Sequence, residues 1–196
     1  MGKLMSEKTK QRIIKAGAEL IHKQGFNNTG LKDILAAAQV PKGSFYFYFK
    51  NKEQFGIEVI DYYKERFRES VLIILSDQSI PPLVRMRHFF QHYHDIMKSN
   101  GYKRGCPIGN LTQEMGDLSE AFRFKLKQSL DGMATTIESL LKESIERGDT
   151  PKLNTRTTAI FIIEAWHGAL IRMKATEDDE PLSIFYSFIF GTILRK

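Results

Sequence analysis

Apolar residues recur at three- and four-residue spacing along nearly the whole chain, and the breaks between these runs are where Gly, Pro and Asn collect. In "SEKTKQRIIKAGAELIHKQGF" the apolar positions Ile13, Ile14, Ala16, Gly17, Leu20 and Ile21 predict a first helix stopped at Gly25. After the turn "NNTG", the segment "LKDILAAAQV" puts Leu31, Ile34, Leu35 and Ala38 on one side of a short second helix. Pro41 suits the first turn of a third, and Asn51 followed by Gln54 has the form of a capping box opening a fourth.

One stretch resists this reading. "FYFYF", Phe45 to Phe49, alternates with period two, like a strand. Its flanks decide otherwise, because it lies between two helix starts. At 100° per residue Phe45 and Phe49 fall together on a buried side with Tyr48 beside them. Phe47 then projects outward with Gly43, flanked by Ser44 and Tyr46.

Further on, helical spacing predicts a long helix from Lys52 to Leu75, another after the Pro81–Pro82 pair, and an irregular joint "YKRGCPIGNLTQEMGDLS" enclosing a short helix. A long helix over 120–147 follows, then one over 155–172 and a last one rich in Phe and Ile. Eight or nine helices and almost no strand signal predict an all-α chain. Its short first three helices form a head, residues 1–51, on a larger helical body, residues 52–196.

Charge sharpens this division. The chain carries a formal net charge of +6, and up to Phe55 there are ten Lys and Arg against four Asp and Glu. From Gly56 onward the counts are 19 and 19. A basic head on a neutral body suits a polyanion partner without naming it. The single cysteine, Cys106, excludes an intramolecular disulfide and a cysteine-rich zinc site. With no apolar h-region and no apolar run near 18 residues, neither secretion nor membrane insertion is expected, and a cytoplasmic location is.

Two short helices joined by "AAAQVPKG" after a longer one have the layout of a helix-turn-helix, whose last helix enters the major groove of double-stranded DNA. The exposed face would be Lys42, Gly43, Ser44, Tyr46 and Phe47. Gly43 admits close backbone approach, Ser44 and Tyr46 hydrogen-bond phosphates or base edges, and the ring of Phe47 can meet a thymine methyl. Lys52, at the start of the fourth helix, adds a cation and backbone N–H groups for one phosphate.

The segment "GFNNTGLKDILAAAQVPKGSFYFYFKNKEQF", Gly25 to Phe55, resembles the DNA-binding signature of TetR-family transcriptional repressors. The resemblance implies contacts to operator DNA by Lys42, Gly43, Ser44, Tyr46, Phe47, Tyr48 and Lys52. It also implies a homodimer on a pseudo-palindromic operator, and a small, often apolar effector bound in the body. No cofactor is expected. This sequence departs from the family pattern at Gln39, where a turn Gly is usual, and at Gly30, which replaces a capping Thr. It departs again at Leu35, which replaces an Ala, and at Phe47, which replaces a frequent His. A left-handed Gln39 would be strained by about 1 kcal/mol.

For the subunit interface the stripe Phe185, Phe188, Ile189, Thr192 and the mixed large and small set Phe161, Ala165, Gly168 are candidates. Candidate effector-lining residues are Phe89, Tyr93, Met97, Met115, Phe122, Trp166, His167, Leu170 and Met173, an aromatic and soft apolar set with a few polar handles. Cys106 precedes Pro107 at an expected helix start, where the dipole with Lys103 and Arg104 would favour a thiolate, although a buried inert thiol fits the same sequence. The segment "GCPIGNLTQEMGDLSEAFR" resembles the TetR subgroup that responds to electrophiles and oxidants, which implies a sensor role for Cys106 with Lys174 as its partner. Relatives with the same Gly-Cys segment bind ligands without thiol chemistry, so both switches stay open.

Two other classes are weaker. His88 and His92, with Asp95 further along, have a spacing that can hold a metal, but no fourth ligand is evident and no metal site is expected. A cysteine enzyme would need an orienting group and an oxyanion site, and neither a strand-turn-helix elbow nor a Gly-rich phosphate loop occurs.

Overall fold

The computed structural model describes residues 2–196, and the side chains of residues 6–71 and 73–196. Among the described residues there are nine α-helices and no strand. They are α1 (Gly2–Gln24), α2 (Leu31–Ala37), α3 (Phe45–Tyr48), α4 (Lys52–Leu75), α5 (Pro82–Ser99), α6 (Pro107–Met115), α7 (Glu120–Glu146), α8 (Thr155–Thr176) and α9 (Glu180–Phe188). No helix among the described residues is long and apolar enough to cross a membrane.

The chain packs as two compact units, Met1–Phe67 with Pro107–Lys127, and Arg68–Cys106 with Gln128–Lys196. Packing therefore divides the chain elsewhere than after residue 51: most of α4, all of α6 and the start of α7 belong with the head. In this first unit Phe45, Phe49 and Phe55 form a ring cluster with centroids 5.0–5.5 Å apart, and each is essentially fully buried. Gly17 on α1 lets that cluster close, since a Cβ there would overlap the Phe55 ring. Gly56 on α4 does the same for Phe26 and Phe122, whose rings meet edge to face at 4.9 Å.

The five-ring row is not one continuous helix. Lys42–Ser44 is a 3₁₀ turn, Phe45–Tyr48 a single α turn, and Phe49 has extended backbone with φ −135° and ψ 131°. Phe49 leaves the helix because Asn51 begins to cap α4 only two residues later. Its ring still reaches the core, as the helical projection requires. The cap itself differs slightly from the expected box. Asn51 Oδ1 accepts from Gln54 N–H at 2.8 Å, but the Gln54 side chain returns to Lys50 N–H, at 2.7 Å, one residue before the cap.

In the second unit Phe90, Trp166 and Phe185 form the aromatic centre, with ring centroids 5.0–5.2 Å apart. Buried Arg85 on α5 donates to Leu75 O at 2.7 Å and Ile80 O at 2.9 Å, and pairs with Glu143 on α7. The α5 end is tied to the α8–α9 loop by Asp179, which lies 2.7 Å from His94 Nε2 and accepts from Lys98 Nζ at 2.6 Å. Of the expected interface stripe, Phe185 and Ile189 turn inward and are buried, while Phe188, Thr192, Phe161 and Gly168 are exposed.

Candidate nucleic-acid interface

The turn between α2 and α3 is built by backbone bonds. Val40 N–H donates to Leu35 O and Gln39 N–H to Ala36 O, both at 3.0 Å, which is a Schellman closure of α2. That closure needs a left-handed residue between them, and Gln39 supplies it with φ 54°. From α1, Arg12 donates to Ala38 O at 2.7 Å and Gln39 O at 2.9 Å, so the guanidinium satisfies carbonyls that the helix end leaves open. Gly30, at the N-cap of α2, provides no side-chain cap.

On this frame the row of rings separates as its projection predicts. Phe45 and Phe49 are each 1% exposed, whereas Tyr46 is 69% and Phe47 76% exposed. Lys42, Gly43 and Lys50 are exposed around them, and Ser44 and Tyr48 are half-buried. Gly43 stands in open space, with no atom within 4 Å of where a Cβ would lie. Packing inside the chain does not ask for glycine there.

Lys52 departs from its expected setting. Its ammonium donates to Phe26 O at 2.7 Å and lies 4.5 Å from the centre of the Phe26 ring. Burial pulls its pKa below the ordinary lysine value, against the opposing charge of Glu114. The side chain grips the α1–α2 turn, and only the backbone N-terminus of α4 remains of the expected phosphate site. Glu114, near the end of α6, completes that grip by accepting Phe26 N–H at 2.8 Å and Asn27 N–H at 2.7 Å. Sequence reading missed both Arg12 and Glu114, since each serves backbone atoms far along the chain.

The expected effector residues fall in both units. Met115 and Phe122 belong to the first, where Met115 Sδ accepts from Asn27 Nδ2 at 3.6 Å and Phe122 packs on Phe26. In the second unit Phe89, Met97, Trp166, Leu170 and Met173 are buried, and Tyr93 and His167 are half-buried. Phe89 and Tyr93 meet edge to face at 5.1 Å, and burial lowers the pKa of His167. Trp166 is held between Phe90 and Phe185, as a core residue is. Cys106 is half-buried directly before α6, after a run in which Gly101, Tyr102, Arg104 and Gly105 all have positive φ. Lys174 is exposed in the last turn of α8. His88, His92 and Asp95 are exposed on α5, where Gln91 donates to Asp95 at 2.9 Å.

On the outer face of α8 and α9, Ala165, Gly168 and Ala169 floor an apolar groove of about 250 Å³ walled by Ile184 and Phe188. Ile184 is 57% and Phe188 51% exposed.

Comparison with known proteins bears on this arrangement. Residues 13–59 match the family described as bacterial regulatory proteins, tetR family, and residues 82–189 match a Tetracyclin repressor-like C-terminal domain. The chain is 36% identical to the transcriptional regulator AcuR of Cereibacter sphaeroides, covering 89% of this chain and 80% of that protein. It is 31% identical to the HTH-type transcriptional repressor DhaR of Mycobacterium sp. strain GP1, over 94% of this chain and 92% of that protein. The crystal structure of the reduced form of Escherichia coli NemR superposes with a TM-score of 0.86 at 25% identity, covering 96% of this chain and all of that one, 100%.

Proposed function

Because the chain belongs to the TetR family of bacterial regulatory proteins, we propose that it represses transcription as a homodimer on a pseudo-palindromic operator and leaves that operator when its body is modified or occupied. The observation that carries this reading is the α3 turn, where two adjacent rings project into solvent beside Gly43 with Lys42 and Lys50 around them. Such exposed rings add little to the chain's own packing, and the basic residues beside them suit a polyanion. Lys42, Gly43, Ser44, Tyr46, Phe47 and Tyr48 make the contacts, with α4 offering its N-terminus to a phosphate. Two copies join through the α8–α9 face, where a ring from one chain fills the small-residue groove of the other.

The switch acts through α6. Alkylation or oxidation of Cys106, the residue directly before α6, shifts this helix, and Glu114 near its other end then releases the α1–α2 turn. The likeness to NemR, solved in a form described as reduced, supports a thiol switch at Cys106. A non-covalent switch has its own support in Tyr93 and His167, two polar side chains each half-buried in the second unit. Operator binding titrated across salt concentrations tests the first claim, since a dimer gripping several phosphates loses affinity steeply with salt. The same assay on wild type and Cys106→Ser against an electrophile panel separates the two switches. Release of both proteins alike would sink the thiol branch and leave the repressor standing.

A further inference from the structure

Resting on the operator-binding reading, a finer question is what the exposed ring of Phe47 recognises. That ring is 76% exposed and meets the half-buried ring of Tyr48 edge to face, at 4.9 Å and 85°. Tyr46 meets buried Phe45 in the same way, at 5.5 Å and 83°. The turn beneath them is closed by the Gln39 bond on one side and the Asn51 cap on the other. Phe47 thus presents an apolar surface to solvent, with exposed Lys42 and Lys50 on the same short segment of chain.

The major groove offers such a surface little choice. Base edges there are hydrogen-bond donors and acceptors, with one apolar feature, the 5-methyl group of thymine. A phenyl ring seated over an amino or carbonyl edge strips water from it and returns no hydrogen bond. Over a methyl it buries apolar area on both sides. The preference therefore combines attraction to one base and rejection of the others. We propose that Phe47 selects a 5-methylpyrimidine at one position of each operator half-site, and that 5-methylcytosine satisfies it as thymine does. The chemistry reads the methyl group, whichever pyrimidine carries it.

The test begins with selection of an operator from random duplexes by the purified full-length protein. Each thymine of the half-site is then replaced by uracil, which removes only the methyl. At one position the exchange should weaken wild type about fourfold per half-site, the worth of one buried methyl, and about fifteenfold when both half-sites are changed. F47A should be indifferent at that position while melting like wild type, and F47L, still apolar, should keep part of the preference. At the same position a 5-methylcytosine pair should bind more tightly than a cytosine pair by a similar factor. Equal uracil sensitivity in F47A and wild type, or none in wild type, overturns the proposal and leaves the regulator intact. Failure of wild type to enrich any duplex overturns the regulator reading and this inference together.

Discussion

The carboxylate of Glu114 and the backbone N–H of Asn27 meet at 2.7 Å although 87 residues separate them in the chain. With Phe26 N–H on its other oxygen at 2.8 Å, one side chain of α6 fastens the turn that joins the first two helices of the head. Glu114→Ala should lower stability by about 2 kcal/mol, two backbone donors having lost a charged acceptor, and Glu114→Gln by about half of that. Operator affinity should fall with it. Thermal unfolding with an operator titration checks both, and an alanine variant that melts like wild type would remove Glu114 from the clamp.

Gly43 separates folding from binding. Its surroundings are open and its backbone is not left-handed, so Gly43→Ala should keep or raise stability by about 0.5 kcal/mol through the unfolded chain. The added methyl stands on the face proposed to meet DNA, and operator affinity should drop by roughly tenfold or more, a misfit of about 1.4 kcal/mol. Unimpaired binding by the alanine variant would place the DNA elsewhere.

Gln39 gives the opposite case. Its φ of 54° is a conformation glycine adopts without strain, and the turn bonds on either side are already made. Gln39→Gly should stabilise the protein by about 0.5 kcal/mol, the relief of left-handed strain being partly offset by a freer unfolded chain. Chemical denaturation resolves a difference of this size only from its midpoint shift.

Asp179 supplies a pH dependence. Its bonds from Lys98 and His94 hold its pKa down to about 2, against an ordinary 3.8. A carboxylate depressed on folding stabilises the protein above about pH 4, and that contribution fades as pH falls toward 2. Asp179→Asn should therefore cost about 1 kcal/mol near neutrality, reduced from the full shift because the pair is partly solvated. The gap between wild type and variant should close between pH 4 and 2 in unfolding curves. A gap constant over that range would show that charge is not what ties α5 to the loop.

The groove on α8 and α9 tests assembly. Ile184→Asp with Phe188→Asp puts charge on an exposed apolar wall without touching the buried core, so the chain should fold but sediment as a monomer. A monomer spans one half-site, and its salt dependence should halve. A double variant that stays dimeric would send the interface to another face.

Much of the head was legible in sequence because its burial follows one helical turn: Phe45 inward and Phe47 outward come from a 100° step, and the capping Asn51 is local. The body was less so. A stripe at helical spacing does not reveal its partner, and Phe185 and Ile189 proved to face the chain's own core beside Phe188, which does not. Arg12, Lys52 and Glu114 were illegible in their roles for a different reason. Each binds carbonyls or amides, which every residue carries, so no side-chain pattern marks the contact.

The close fit of Gly17 against Phe55 has a consequence for how such a head changes over time. Its interior is settled by rings pressed on backbone, where even a methyl group is excluded, while Tyr46 and Phe47 contribute almost nothing to that interior. Substitutions can therefore accumulate at the outward rings with little penalty in folding, and a duplicated copy could drift to a new recognition sequence while its scaffold remained under strict selection.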